Sequence, residues 1–244
     1  MNKAKRAIII VVQLFFIAVI VFCGIKIYNW NRENQKNQNI LEEVSEAVTV
    51  NENNENIIDF EKLKAINSEC VGYIKIGGFD IEYPVVQHED NSYYLTHNFE
   101  NQYNSAGWIF ADYRNKVDGT DKNLIIYGHN RRDGSMFARL RETLNEGWFD
   151  TEEKNKIEFI TEQEDSTYEI FSVYKIEPEE YYIQTGFTNN SFEEFINTIK
   201  NRSIEDFGIE VTTEDQILTL STCDNNTQYR VVIHAKKIIN QDEV

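Results

Sequence analysis

Nineteen consecutive residues near the start of the chain, Ala7 to Ile25, contain a single strongly polar member, Gln13. A helix over that run spans roughly 28 Å at 1.5 Å per residue, close to the ~30 Å hydrocarbon core of a bilayer. Lys3, Lys5 and Arg6 precede it, and no acidic residue lies ahead of Lys26. The positive-inside rule keeps residues 1–6 in the cytoplasm and sends everything after the run outside. A cleaved signal peptide has an apolar region of about 7–15 residues and a small-residue cleavage site. This run is longer, and Phe22-Cys-Gly-Ile-Lys26 is a poor cleavage site. The expectation is an uncleaved signal-anchor over 7–25.

Charge narrows the partners. The formal net charge is −17; with four of the 24 basic residues and none of the 41 acidic ones before position 27, the outer part carries −21. Repulsion then argues against nucleic acid and against adhesion to anionic lipid. Cys23 lies in the apolar run, which leaves Cys70 and Cys223 outside, too few for a disulfide framework.

Tyr28 to Asn56 is rich in Asn, Gln and Glu and poor in large apolar residues. Residues 26–56 therefore read as an extracytoplasmic stalk, with one possible helical stretch at Ile40–Ala47. The folded domain is expected over 57–244. Asp59 to Ile66 reads as a helix that Asp59 could cap. Val71–Ile76 and Phe79–Val86 are strand-like around Gly77-Gly78, a hairpin signal. Asn91–Asn98 reads as a short helix or turn, Trp108–Ala111 and Leu124–His129 as strands, and Met136–Leu144 as a helix. Lys156–Thr161 and Thr167–Ile176 alternate as a hairpin. Ser191–Lys200 has helical spacing, with Ser191 as N-cap and Glu194 completing a capping box. Two final strands flank the polar loop from Asp224 to Tyr229. About eight strands and a few helices favour one β-rich domain, and closing the sheet into a barrel removes its edges.

The chemistry concentrates at strand ends. Gln216-Ile-Leu-Thr-Leu-Ser-Thr-Cys223 delivers a thiol to the end of one run, and Arg230 opens the next. By alternation Leu218 and Leu220 share a face with Thr222, and Val231 shares one with Ile233 and Ala235. These apolar faces belong against the core. Cys223, Thr219 and Ser221, and Arg230 with His234, then take an outer, more polar surface that a substrate can reach. A free thiol with a pKa near ~8.5 needs a base or a cation to become a nucleophile. His129 closes the run Asn123-Leu-Ile-Ile-Tyr-Gly-His129 and is the base candidate. The thiolate would attack a carbonyl, the imidazole would protonate the leaving amine, and the guanidinium would hold the oxyanion. One such donor is worth roughly 10²–10³ in rate. His234 is the rival base, but it lies roughly 13 Å along its strand from Arg230. His88 and His97 read as surface or packing histidines, and Cys70 as a small buried hydrophobe. A Cys70–Cys223 bridge would disable the nucleophile. No CxxC, HxxH or HExxH occurs, so no metal site is expected.

Thr219-Leu-Ser-Thr-Cys223 with Arg230 downstream and Tyr127-Gly-His129 about a hundred residues upstream resembles the signature of the sortases, membrane-anchored cysteine transpeptidases of Gram-positive bacteria. The similarity extends from about Val71 to Ile239. Tyr93-Tyr-Leu-Thr-His-Asn-Phe99, Gly107-Trp-Ile-Phe-Ala-Asp112, Gly134-Ser-Met-Phe137 and Tyr181-Tyr-Ile183 resemble class B members, as does a predicted helix before the cysteine strand, Ser191 to Ser203. The resemblance implies a mainly β fold: an eight-stranded sortase-type barrel with an N-terminal helix and a helix before the cysteine strand. It implies that Cys223 cleaves a C-terminal sorting motif after its threonine through a thioester acyl-enzyme. His129 and Arg230 would assist. An amine of the lipid-linked peptidoglycan precursor would then accept the surface protein at the outer face of a Gram-positive membrane. It further implies a groove with Asn91 and Leu95 on one side, Tyr182 and Ile183 on the other, and Ser221 near the nucleophile. No cofactor is implied, and the calcium site of some class A members has no counterpart. Two other readings stand beside this one. An extracytoplasmic cysteine hydrolase of cell-wall peptides would release its product to water whatever amine is added. A non-enzymatic surface protein would be indifferent to loss of Cys223, His129 or Arg230.

Overall fold

The computed structural model describes residues 3–50, 56–79, 81–145, 147–149, 152–223 and 228–238. Helix α1 (Lys3–Ser45) is followed by a two-stranded ribbon of β1 (Val48–Val50) and β2 (Asn56–Ile58), then by helix α2 (Phe60–Ile66). Asp59 caps α2 by accepting a hydrogen bond from the Lys62 amide at 3.0 Å, as its position suggests. Strands β3 (Cys70–Ile76), β4 (Ile81–Val86), β5 (Phe110–Ala111), β6 (Asn123–His129), β7 (Lys156–Ile160), β8 (Asp165–Ile176), β9 (Ile217–Cys223) and β10 (Arg230–Ile238) build the domain. They close into an eight-stranded barrel in the order β10-β8-β7-β3-β4-β5-β6-β9. Most neighbours are antiparallel, but β4 pairs β5 and β6 pairs β9 in parallel. A parallel pair needs a long crossover connection, so β6 and β9 meet only after β7, β8 and a third helix have been laid down between them.

The alternation read from the sequence holds for the barrel's inside. Leu218, Leu220, Val231, Ile233 and Ala235 join Ile74 and Ile125 in one continuous core. The outer face differs from the expectation. Thr219, Ser221 and His234 are buried, not exposed to solvent. The cause is helix α3 (Asn189–Arg202), which lies over this part of the sheet and buries Phe192, Phe195, Ile196 and Ile199 against a second apolar cluster that includes Val232, Phe171 and Tyr174. Each such large side chain contributes about 1.5–3 kcal/mol when fully buried. A helix with that apolar stripe cannot sit over a wet surface. The cap of α3 also lies three residues earlier than expected: Thr188 is the N-cap, and Ser191, at the third helical position, closes the capping box with it.

The region expected to form a stalk is helical as far as Ser45. A helix of that length measures roughly 64 Å. Its first half is exposed and apolar, long enough to cross a membrane, and compatible with a single-pass anchor. Its second half does not stand clear of the barrel. Asn37, Ile40, Val44 and Ala47 are buried. The spacing of Asn37, Ile40 and Val44, three and then four, puts those side chains on one helical face, and Ala47 lies in the turn just past the helix. Asn104 donates to the Asn37 side chain at 2.8 Å, and Arg131 to that of Asn34 at 2.5 Å. The Ser105 hydroxyl donates to Glu33, and Lys36 donates to Gln102.

Candidate active site

Strand β6 places His129 at its C-terminal end because Leu124 to Tyr127 are apolar and wholly inside the fold, while Asn130 beyond begins a loop. Strand β9 runs parallel beside it, with His129 level with Cys223. On the far side of β9 lies β10, paired antiparallel with Val232 opposite Ser221. That pairing ends at Val232, and Arg230 opens β10 two residues beyond it, at the same end of the sheet as Cys223. Three neighbouring strands thus bring a thiol-bearing, an imidazole-bearing and a guanidinium-bearing residue to one rim of the barrel. Adjacent strands lie about 4.8 Å apart. The loop residues Asp224 to Thr227 between β9 and β10 lie outside the described residues.

His129 is held firmly. Its Nε2 lies 2.8 Å from the Leu95 carbonyl oxygen, which accepts only, so Nε2 carries a hydrogen there. Leu95 ends a 3₁₀ turn, Tyr93–Leu95. Gly107 makes room for this contact. Its φ is +60°, and a Cβ there would stand 2.8 Å from His129 Cδ2 and 2.4 Å from the Tyr94 carbonyl oxygen. Both close approaches and the left-handed backbone require glycine.

His234 is fully buried and its pKa falls from 6.5 to about 3 because burial penalises the cation. It is a neutral link. Its Nδ1 pairs with Thr219 Oγ1 and its Nε2 with the Tyr174 hydroxyl, each at 2.8 Å. Cys70 is likewise buried, and desolvation pushes its thiol up to about 12. His88 stacks on Tyr93, which stacks in turn on His97. Among the described residues no cluster of three or more His, Cys, Asp or Glu is arranged to hold a metal ion.

The five residues implied as groove-lining fall into two groups. Asn91 and Leu95 flank the turn that holds His129. Tyr182 and Ile183 belong to a second 3₁₀ turn, Tyr181–Ile183. The Tyr182 hydroxyl lies 3.4 Å from Ser221 Oγ, and both residues are buried beside the cysteine strand. Ile183 is half-buried. The sequence reading passed over the groups that join these turns. Asp112 takes three hydrogen bonds from Arg114, two from its guanidinium and one from its backbone amide, one from Asn91 and one from Tyr127. An acidic residue two positions before an arginine, just past an apolar strand, was the available signal.

The closed eight-stranded barrel is that of the sortases, which are cysteine transpeptidases, and the chain belongs to the sortase family, whose sortase domain matches residues 74–238. It is 39% identical to Sortase B of Listeria monocytogenes over 235 residues, covering 92% of this chain and 94% of that protein. It is 33% identical to Sortase B of Staphylococcus aureus, covering 97% and 98% respectively. A solved sortase B from B. anthracis, in complex with AAEK1, superposes with a TM-score of 0.76 at 35% identity, covering 86% of this chain and 99% of that one. Within the family the chain is therefore a class B sortase.

Proposed function

We propose that Cys223 is the nucleophile, His129 the acid and base, and Arg230 the oxyanion partner of this transpeptidase. The Cys223 sulfur attacks the threonine's own carbonyl carbon in a C-terminal sorting motif. The C–N bond breaks, a thioester forms, and the leaving amine takes a proton from His129. An amine of the lipid-linked peptidoglycan precursor then attacks the thioester, gives its proton back to His129, and releases the thiolate. Arg230 hydrogen-bonds the oxyanion of both tetrahedral intermediates. Asn91 and Leu95 form one wall of the groove, Tyr182 and Ile183 the other, and Ser221 lies beneath.

The observation that supports this reading is the register of His129 level with Cys223 across a parallel pair, with Arg230 at the start of the strand on the other side. The membrane arrangement completes it. Residues 1–6 lie in the cytoplasm, 7–25 span the bilayer, 26–56 connect, and 57–244 catalyse outside, so that the site faces the cell wall. The partners are surface proteins bearing the motif, the lipid-linked amine, and the bilayer itself.

Incubating the protein with a library of threonine-containing sorting peptides and reading intact mass tests the assignment. The expected result is a thioester adduct on Cys223 that an added amine converts to ligated peptide. Cys223→Ala and His129→Ala should abolish it. An adduct on Cys70, or cleavage surviving Cys223→Ala, would overturn it.

A further inference from the structure

We propose that Asp112 and Arg114 form a strut that fixes the separation of the two groove walls; this rests on the groove reading given above. Asp112 is wholly buried, and one of its oxygens accepts from Asn91 Nδ2 at 2.9 Å and from the Tyr127 hydroxyl at 2.8 Å. Arg114 grips both oxygens, with Nε 2.8 Å from one and Nη2 2.7 Å from the other. The same Nη2 donates to the Ile183 carbonyl at 2.8 Å. One planar guanidinium thus connects the wall that carries Ile183 with the carboxylate that holds Asn91 of the opposite wall. The backbone amide of Tyr113 donates to Asn91 Oδ1 at 3.0 Å, so Asn91 is fixed at both ends of its amide.

The far wall is tethered residue by residue. Tyr181 donates to Tyr174 at 2.9 Å, Tyr182 meets Ser221, Ile183 is taken by Arg114, and Asn123 donates to the Gln184 carbonyl at 2.9 Å. Three of these tethers end within the barrel wall, on β8, β9 and β6. Arg114 alone of the four leads across to the Asn91 side. Lysine could not replace it, because a point charge cannot meet two carboxylate oxygens and a carbonyl together. Burial pushes the Asp112 carboxyl up, but hydrogen bonds from Arg114 and Tyr127 outweigh it, and its pKa lies below the ordinary carboxylate value. The strut therefore stays charged at neutral pH. Asp112 and Arg114 are positioning residues: they act through Asn91 and Ile183 and through Tyr127, two residues before His129.

The test uses the full chain with Arg114→Ala, Arg114→Lys and Asp112→Asn. The Arg114 side chain is 36% exposed while Asp112 is fully buried, so Arg114→Lys, which keeps a cation beside the carboxylate, guards against a variant that fails to fold. Hydrogen–deuterium exchange should rise in both Arg114 variants at residues 91–95 and 182–184 together. Faster exchange at one wall alone, or at neither, overturns the strut whether or not any peptide is turned over. For a sorting peptide that acylates the wild type, KM should rise about tenfold or more with a smaller change in kcat, as expected for loss of a charge-assisted hydrogen bond that places the substrate. Asp112→Asn should move KM in the same direction. Alkylation of Cys223 by iodoacetamide should stay at the wild-type rate. Unchanged KM overturns the strut, as does a variant whose thiol reactivity falls in step with turnover. A wild type that forms no acyl-enzyme with any peptide sinks the groove reading instead, and the exchange data still decide the strut.

Discussion

Replacing Gly107 with alanine should damage catalysis more than folding. The backbone there has φ +60°, a left-handed conformation that costs an L-residue about 1–2 kcal/mol. The added methyl would stand 2.4 Å from the Tyr94 carbonyl oxygen, 2.9 Å from that of Leu95, and 2.8 Å from His129 Cδ2. Two of these three neighbours are backbone atoms and cannot swing aside, so the strain of overpacking adds roughly 1–3 kcal/mol. The relief open to the site is to shift the turn that ends in Leu95 together with the imidazole bonded to it. A misplacement of about 1 Å at a reacting group costs on the order of 10²-fold in rate. The expected result is a urea midpoint lowered by the equivalent of roughly 2–5 kcal/mol and a kcat/KM for peptide cleavage lower by about two orders of magnitude. Gly208→Ala is the control, because its φ is +68° but nothing lies within 4 Å of the added methyl. It should lose only the backbone term and keep full activity. If Gly107→Ala matched Gly208→Ala in kcat/KM, the close packing around His129 would have no catalytic consequence and the reasoning would fail.

Three further outcomes follow from groups described above. His234 is neutral in the fold down to about pH 3, whereas its unfolded form takes a proton below 6.5, so acid favours unfolding in that window and not above it. The native protein should lose up to about 1.4 kcal/mol per pH unit from this group between pH 6.5 and 4; urea melts of His234→Gln should show a shallower slope, and equal slopes would refute the account. Cys70, with its thiol pushed up to about 12, should take no iodoacetamide in the native protein at pH 8; a Cys70 adduct before unfolding, seen by peptide mass mapping, would contradict its burial. Ile40→Ala, although outside the barrel, should lower the unfolding free energy by about 2–5 kcal/mol; an unchanged urea midpoint would mean that α1 does not belong to the folded unit.

Local signals carried much of the fold. Gly77-Gly78, the alternation of Leu218 and Leu220, and the apolar run ending at His129 each speak within a few residues. So the strands of the barrel, and the strand ends bearing Cys223, His129 and Arg230, were readable. Three features were not. A polar outer face looks solvent-facing until something covers it. Thr219 and His234 are enclosed only because α3, which precedes them in the chain, folds back with its own apolar stripe. The stretch before Asn56 reads as a stalk because Asn, Gln and Glu dominate it; the helical stretch read at Ile40–Ala47 is the end of a helix that runs from Lys3 to Ser45, and its Ile40 and Val44 are buried. The Asp112–Arg114 contact with Ile183 spans about seventy positions, and no short-range pattern marks it.

The cysteine strand is an inner member of a closed sheet, with a hydrogen-bonded partner on each side. The strand ends that carry Cys223 and His129 are therefore laid out on a ruler whose graduations are backbone hydrogen bonds. Loops at the rim can lengthen, shorten or exchange residues, and so admit different peptides, without altering the register of the strands beneath them. Choice of client and capacity for bond exchange are thereby assigned to separate parts of the molecule.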